Sequence, residues 1–266
     1  MIDRWGVLLM SGVLAACFCA PVAAMADALR IAVNPIYPPL EFRDPLTDHL
    51  TGFDIDLGEA IGARLGRQVE WEETAFPEMT PALASNRADM VLSGFSDLPS
   101  RRGLMDFIHY LRSGAQVVVL ASDSVPTPEA LCGRLIAASR ATAFPGMIRT
   151  WSHQHCAAHG LPDMRFYPSE SGADARIQLL QGRVAAMVQG SETVGYFITL
   201  THGAFRTLGA PLSETWLAMA FDPSHHALEG EVRGAFNGLV ADGTYARLIH
   251  RWSLERSALP QGETGP

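Results

Sequence analysis

From Leu29 onward, short apolar runs alternate with longer stretches of helical period, and after one pass the whole alternation starts again. Leu29–Val33 reads as a strand, ended by the prolines of Asn34-Pro35-Ile36-Tyr37-Pro38-Pro39. Ile55, Leu57, Ile61 and Leu65 recur near helical spacing and stop at Gly66, which predicts a helix over residues 54–65 with Asp54 or a neighbour as its cap. A strand at 69–71, a helix around 78–85 and a strand at 90–92 complete the first pass. After a strand at 116–120, the second pass gives strands at 135–138, 165–167 and 184–188, with helices near 146–158, 173–180 and 192–200. A strand at 217–221 and helices at 228–241 and 245–252 follow, and the polar residues beyond Leu254 are expected to fray. Strands and helices in alternation argue for an α/β fold of two similar units, each a mostly parallel sheet flanked by helices.

Charge narrows the chemistry. All 20 basic residues are Arg, so a Schiff-base amine and a phosphate-loop lysine are both excluded. The 28 acids bring the net charge to -8, and no basic run occurs, so nucleic acid is a poor partner. With 48% hydrophobic residues in 266, the chain can bury one large core or two modest ones.

The first 26 residues read as an export signal. No charge occurs from Trp5 to Ala26, and Pro21 precedes Ala24-Met25-Ala26, a small-x-small cleavage pattern. Leu14-Ala15-Ala16-Cys17 offers a competing lipoprotein reading, in which Cys17 carries the lipid. No later apolar run is long enough to span a bilayer, so a periplasmic location is expected. Beyond the signal only Cys132 and Cys156 remain, an even pair that favours a disulfide in an oxidising compartment.

Several motifs stand together in order: Tyr37-Pro38-Pro39 with Glu41-Phe42, Gly52-Phe53-Asp54-Ile55-Asp56-Leu57, Pro81-Ala82-Leu83, Ala88-Asp89-Met90, Ser93-Gly94 with Arg101-Arg102, Asp106-Phe107, and Ala241-Asp242-Gly243-Thr244-Tyr245 before Trp252. In this order they resemble the family 3 extracellular solute-binding proteins, periplasmic receptors for polar amino acids and related solutes that feed ABC importers. The resemblance implies a two-lobed periplasmic-binding-protein fold of type II-like form, with crossovers near 112–117 and 206–213. The lobes would comprise 27–115 with 211–256, and 116–210, followed by a flexible tail at 257–266. It also implies a monomer that captures a small carboxylate-bearing ligand, closes, and presents itself to an inner-membrane permease, without a cofactor.

Ligands of open α/β sheets collect at the carboxyl ends of the strands, which is where Ser93–Pro99 would leave the sheet. The resemblance implies that Arg101 pairs with the ligand carboxylate, a planar fork meeting two oxygens, with Ser93, Gly94 and Ser96 completing the cradle. Tyr37 and Phe76 resemble the family's aromatic walls, although a Phe before a helix is also an ordinary core residue. In the second lobe, Thr142 matches a carboxylate-binding threonine, while Arg140 stands where the family usually has Gly. Gly190 stands where an aspartate normally meets the ligand's ammonium. Two alternatives follow: Glu192 supplies that charge instead, or the ligand lacks an ammonium, and the added cation at Arg140 leans toward an organic acid. Cys132 and Cys156 match a cysteine pair found in part of the family. A rival reading of His153, His155, Cys156 and His159 is a metal site, since His155 and His159 share a helical face. The alternative function is a cyclohexadienyl dehydratase-like enzyme on the same scaffold, with Glu192 as its acid.

Overall fold

The computed structural model describes Ile2 and residues 27–260; the export signal, Cys17 and the end of the tail lie outside the described residues. Among these residues, nine strands form one continuous array around the 15-residue strand Asp106–Leu120, far longer than the strand expected at 116–120. Its first half pairs antiparallel with Glu214–Phe221. Its second half pairs antiparallel with Ala186–Gly190 and with Phe205–Thr207. Around the first half, Val69–Glu73, Leu29–Val33 and Met90–Val91 lie parallel, completing one lobe's sheet. Around the second half, Ala186–Gly190, Leu135–Ser139 and Arg165–Ser169 lie parallel, completing the other.

Both sheets are covered on both faces, which explains their nearly continuous apolar strands. Ile31 and Met90 point into the core beneath the helices Phe53–Leu65 and His226–Ala241, while the adjacent Ala32 and Val91 face Met79, Leu83 and Phe95. The second sheet repeats this alternation, with Val117 and Ile136 packed toward Ile148 and Trp151, and Val118 and Ala137 toward Leu179 and Val194. At about 25 cal/mol per Å² of buried apolar surface, these four clusters are the main favourable contribution to folding.

The two passages between lobes touch. Ala115 N–H donates to Ser213 O at 3.1 Å, and Leu212 N–H donates to Ala115 O at 2.8 Å. A Cβ at Gly114 would collide with Ser213 O and Pro211, so only glycine permits this approach.

Three local readings differ from the sequence pattern. The first helix spans Phe53–Leu65 with Gly52 before it, and no side chain caps it. Asp54 lies fully buried in its first turn, because its Oδ2 serves groups elsewhere in the fold. Ile36–Tyr37, Glu41–Arg43 and Leu50–Thr51 form a small antiparallel sheet that the proline-rich sequence conceals. The segment expected to fray beyond Leu254 instead forms a 3-10 turn at Glu255–Ser257, and Leu259 is buried with its N–H on Tyr245 Oη at 3.0 Å.

Cys132 and Cys156 are disulfide-bonded, with Cα atoms 5.7 Å apart. Closing a segment of this length contributes about 3 kcal/mol in the loop-entropy account. The bond takes Cys156 out of any metal site, and His155 stacks on Trp151. Among the described residues, no group of His, Cys, Asp and Glu is arranged to hold a metal ion. No described helix is long and apolar enough to cross a membrane.

Candidate functional site

A cavity of about 630 Å³ opens between the two sheets, lined from both sides. One wall is built by the loops after the strands Leu29–Val33 and Met90–Val91: Asn34, Tyr37, Ser93, Gly94, Ser96 and Arg101. The opposite wall comes from the loops after Leu135–Ser139 and Arg165–Ser169, with Arg140, Thr142 and Glu170. Carboxyl ends of parallel strands thus converge on one space, as expected for open α/β sheets.

Arg101 is the cation of this space. Its guanidinium lies 3.9 Å from the centre of the Phe95 ring, and one nitrogen donates to Ser96 O at 2.7 Å. Among the described residues no carboxylate pairs with it, whereas its neighbour Arg102 is tied to Asp97 at 2.8 and 2.9 Å. Burial holds the Arg101 guanidinium below its ordinary value. A half-desolvated fork with free N–H donors has the chemistry to receive an anion.

The other residues singled out from the sequence differ in their commitments. Ser93 accepts the Asn34 N–H at 3.0 Å and donates to Glu41 Oε1 at 2.9 Å, so its proton points into the protein. The Gly94 N–H is likewise engaged, by Asp54 Oδ2 at 2.9 Å. Thr142 donates to Ser139 O at 2.8 Å and remains on the cavity wall. Phe76 serves both readings: it lines the cavity and packs 5.5 Å from the Phe95 ring.

Arg140 also lines the cavity, but it is ion-paired with Glu170 at 2.6 Å. That pair is locally neutral, so the extra cation read from the sequence is already balanced. The lean toward an organic acid therefore loses its support.

Gly190 and Glu192 sit behind the wall, beyond the lining residues. Glu192 accepts from Tyr37 Oη at 2.8 Å and from Ser113 Oγ at 2.5 Å. Both of those hydroxyl-bearing residues face the cavity. A Cβ at position 190 would overlap Glu192 Oε1 and Tyr37 Oη, so the glycine leaves the space that the Glu192 carboxyl fills. Burial pushes the Glu192 carboxyl above the usual carboxylate range, and burial together with Glu192 pushes the Tyr37 phenol well up.

Sequence reasoning missed the buried acid Glu41, which lines the cavity, and Ser113, which lines it too and donates to Glu192. Glu41 stood in a quoted motif, and its signal was an acid beside apolar Leu40 and Phe42 in a segment that must fold against the first helix. Ser113 gave no signal, because its role depends on a residue 79 positions away.

The chain is 28% identical over 240 residues to the arginine-binding protein ArgT of Corynebacterium glutamicum, covering 90% of this chain and 78% of that protein. It is 26% identical over 242 residues to the histidine-binding periplasmic protein of Escherichia coli K12, covering 88% of this chain and 90% of that protein. Among solved structures, an ancestral arginine-binding protein bound to glutamine superimposes with a TM-score of 0.75 at 26% identity, covering 87% of this chain and all of that one. Residues 29–255 match the model of the bacterial extracellular solute-binding proteins, family 3, and the chain belongs to that family.

Proposed function

We propose that the chain is the solute-receiving component of an ABC importer and that its cleft captures a small amino acid by lobe closure. One observation carries the choice of ligand: the cavity has an acid-free cation, Arg101, and also buried acids that pair with no cation, Glu41 under the Ser93 hydroxyl on the same wall and Glu192 behind Tyr37 and Ser113. Arg140 and Glu170 cancel each other. A solute with a carboxylate at one end and a positive group at the other matches this polarity, while a dicarboxylate would place its second charge near acids. Relatives named for binding arginine and histidine support the same class. The closed form would then be read by a membrane permease, since a ligand that contacts both lobes favours the closed state by its differential affinity.

In this reading the chain acts as an exported monomer. Residues 1–26 direct export, and 27–115 with 211–256 form one lobe around the inserted lobe 116–210. A dehydratase role would need an acid at the substrate, yet Glu192 has both oxygens occupied by Tyr37 and Ser113.

Thermal unfolding of the purified protein tests the ligand class. L-arginine, L-histidine and L-glutamine are screened against succinate and malate, with prephenate turnover measured in parallel. At a concentration 100-fold above Kd, a ligand adds about 2.7 kcal/mol of stability. Stabilisation by an amino acid is expected; stabilisation by the dicarboxylates alone overturns the reading.

A further inference from the structure

Beneath the Ser93-Gly94 turn, two acids lie side by side with no cation. Glu41 is 1% exposed and Asp54 is fully buried. Glu41 Oε1 accepts from Ser93 Oγ at 2.9 Å. Asp54 Oδ2 accepts from the Gly94 N–H and from Tyr110 Oη, each at 2.9 Å. The remaining oxygens, Glu41 Oε2 and Asp54 Oδ1, are buried and receive no N–H or O–H from any described residue. The two carboxyls are brought together by the backbone, since Asp54 N–H donates to the carbonyl of Leu40, the residue before Glu41, at 2.8 Å, and the two side chains bond adjacent residues of one turn, Ser93 and Gly94. Two bare carboxylate oxygens held together in a low-dielectric interior repel strongly, and a single proton between them converts that repulsion into an O–H···O bond.

We propose that Glu41 and Asp54 hold one proton between them and act as positioning residues that fasten the Ser93-Gly94 turn of the cavity wall to the first helix. Asp54 carries the charge, because two donors already point at it, and Glu41 supplies the third by turning its Oε2–H toward Asp54 Oδ1. The groups facing this pair from the neighbouring elements are Tyr37 of the small sheet, Tyr110 of the long strand, Ser93 of the turn and Glu192 of the other lobe. All are neutral or acidic, so nothing among them takes the proton's place. Burial, and then the charge of Asp54, keep the Glu41 proton on well above the usual carboxylate range. The floor of the cavity therefore presents one negative charge from this pair rather than two. With Ser93 donating to Glu41, the hydroxyl faces the cavity only as an acceptor.

Infrared spectroscopy of the ligand-free full chain tests this, in an E192Q background that removes Glu192, whose carboxyl burial also pushes above the usual range. At neutral pH the E192Q protein is expected to show the carbonyl stretch of one protonated carboxylic acid, and E41Q/E192Q is expected to lose it. Glu41→Gln keeps a donor toward Asp54, so its melting temperature at pH 7 should stay near that of its parent, whereas Glu41→Ala should fall well below it. A raised acid also gives the sign of the pH effect: the stability it contributes is full below about 4.3 and is lost as pH rises through the folded value. That decline should be present in the parent and flattened by Glu41→Gln. Absence of the band in the parent, its persistence in E41Q/E192Q, or a glutamine variant as unstable as the alanine one overturns the proposal. None of these readings requires the ligand, so failure of the amino-acid assignment leaves them decisive.

Discussion

The phenolic oxygen of Tyr37 stands 2.8 Å from Glu192 Oε1, and the two residues reach each other from opposite lobes across 155 positions of sequence. One helical turn further along, Tyr196 meets Phe42 of the same small sheet with ring centres 6.1 Å apart. One face of the helix Ser191–Leu200 thus docks on the first lobe's small sheet, a polar contact beside an aromatic one.

Tyr37→Phe keeps the aromatic wall and removes only the hydroxyl, leaving Glu192 Oε1 buried without a donor. An orphaned buried acceptor costs about 1–3 kcal/mol. If that cost falls on the closed form, affinity for the amino acid found by thermal screening should drop about 5- to 150-fold. Titration calorimetry reads the loss, and small-angle scattering of the free protein should show a larger radius of gyration than wild type.

Arg101→Ala should remove binding more completely, because it deletes the cavity's one acid-free cation. Truncating one partner of a desolvated charge pair costs about 2–5 kcal/mol. Arg101→Lys keeps the charge but loses the planar fork and its stacking on Phe95, so it should restore only part of the affinity. Calorimetry on both variants checks the order, and wild-type affinity in the alanine variant would exclude Arg101 from the ligand's contacts.

Asp97 offers a pH prediction. Burial alone would raise its pKa, but the bonds from Arg102 and His109 outweigh that and hold the carboxyl below its ordinary value. A lowered acid contributes stability that is present above its unfolded pKa, about 3.9, and lost as pH falls through the folded value. Asp97→Asn should therefore destabilise the protein at pH 7 and much less near pH 3. Urea unfolding at the two pH values measures the difference.

The strand and helix alternation was legible because buried parallel sheets need apolar strands and their covering helices need an apolar stripe. Arg101 was legible as part of a loop leaving a parallel strand. What stayed hidden was pairing at long range. Arg140 looked like an added cation until Glu170, 30 positions on, balanced it. Asp54 looked like a helix cap because a first-turn acid usually is one, whereas its partners Gly94 and Tyr110 are supplied by distant elements. The long strand was underread for a similar reason: its first half sets His109, Arg112 and Ser113 among apolar residues without a period of two, and only the partner Glu214–Phe221 reveals it as sheet.

Gly190 supplies the most discriminating test of the relation between Tyr37 and Glu192. Its φ is an ordinary -62°, so backbone strain gives no reason for glycine there. The reason is space, since a methyl group at 190 falls on Glu192 Oε1 and Tyr37 Oη together. Gly190→Ala must therefore push both of them aside, and affinity and melting temperature should both fall. Glu192→Ala alone should also weaken binding, by removing the acceptor from Tyr37 and Ser113. If Gly190 and Glu192 compete for the same volume, the double variant G190A/E192A should lose less than the two single losses summed, because the methyl then enters space the carboxyl has left and only Tyr37 Oη still has to shift. Coupling between contacting residues runs about 0.5–3 kcal/mol, well within reach of a double-mutant cycle read by calorimetry and thermal unfolding. Strict additivity of the two losses would mean that Gly190 and Glu192 act separately, and the carboxyl would then not owe its position to the missing side chain.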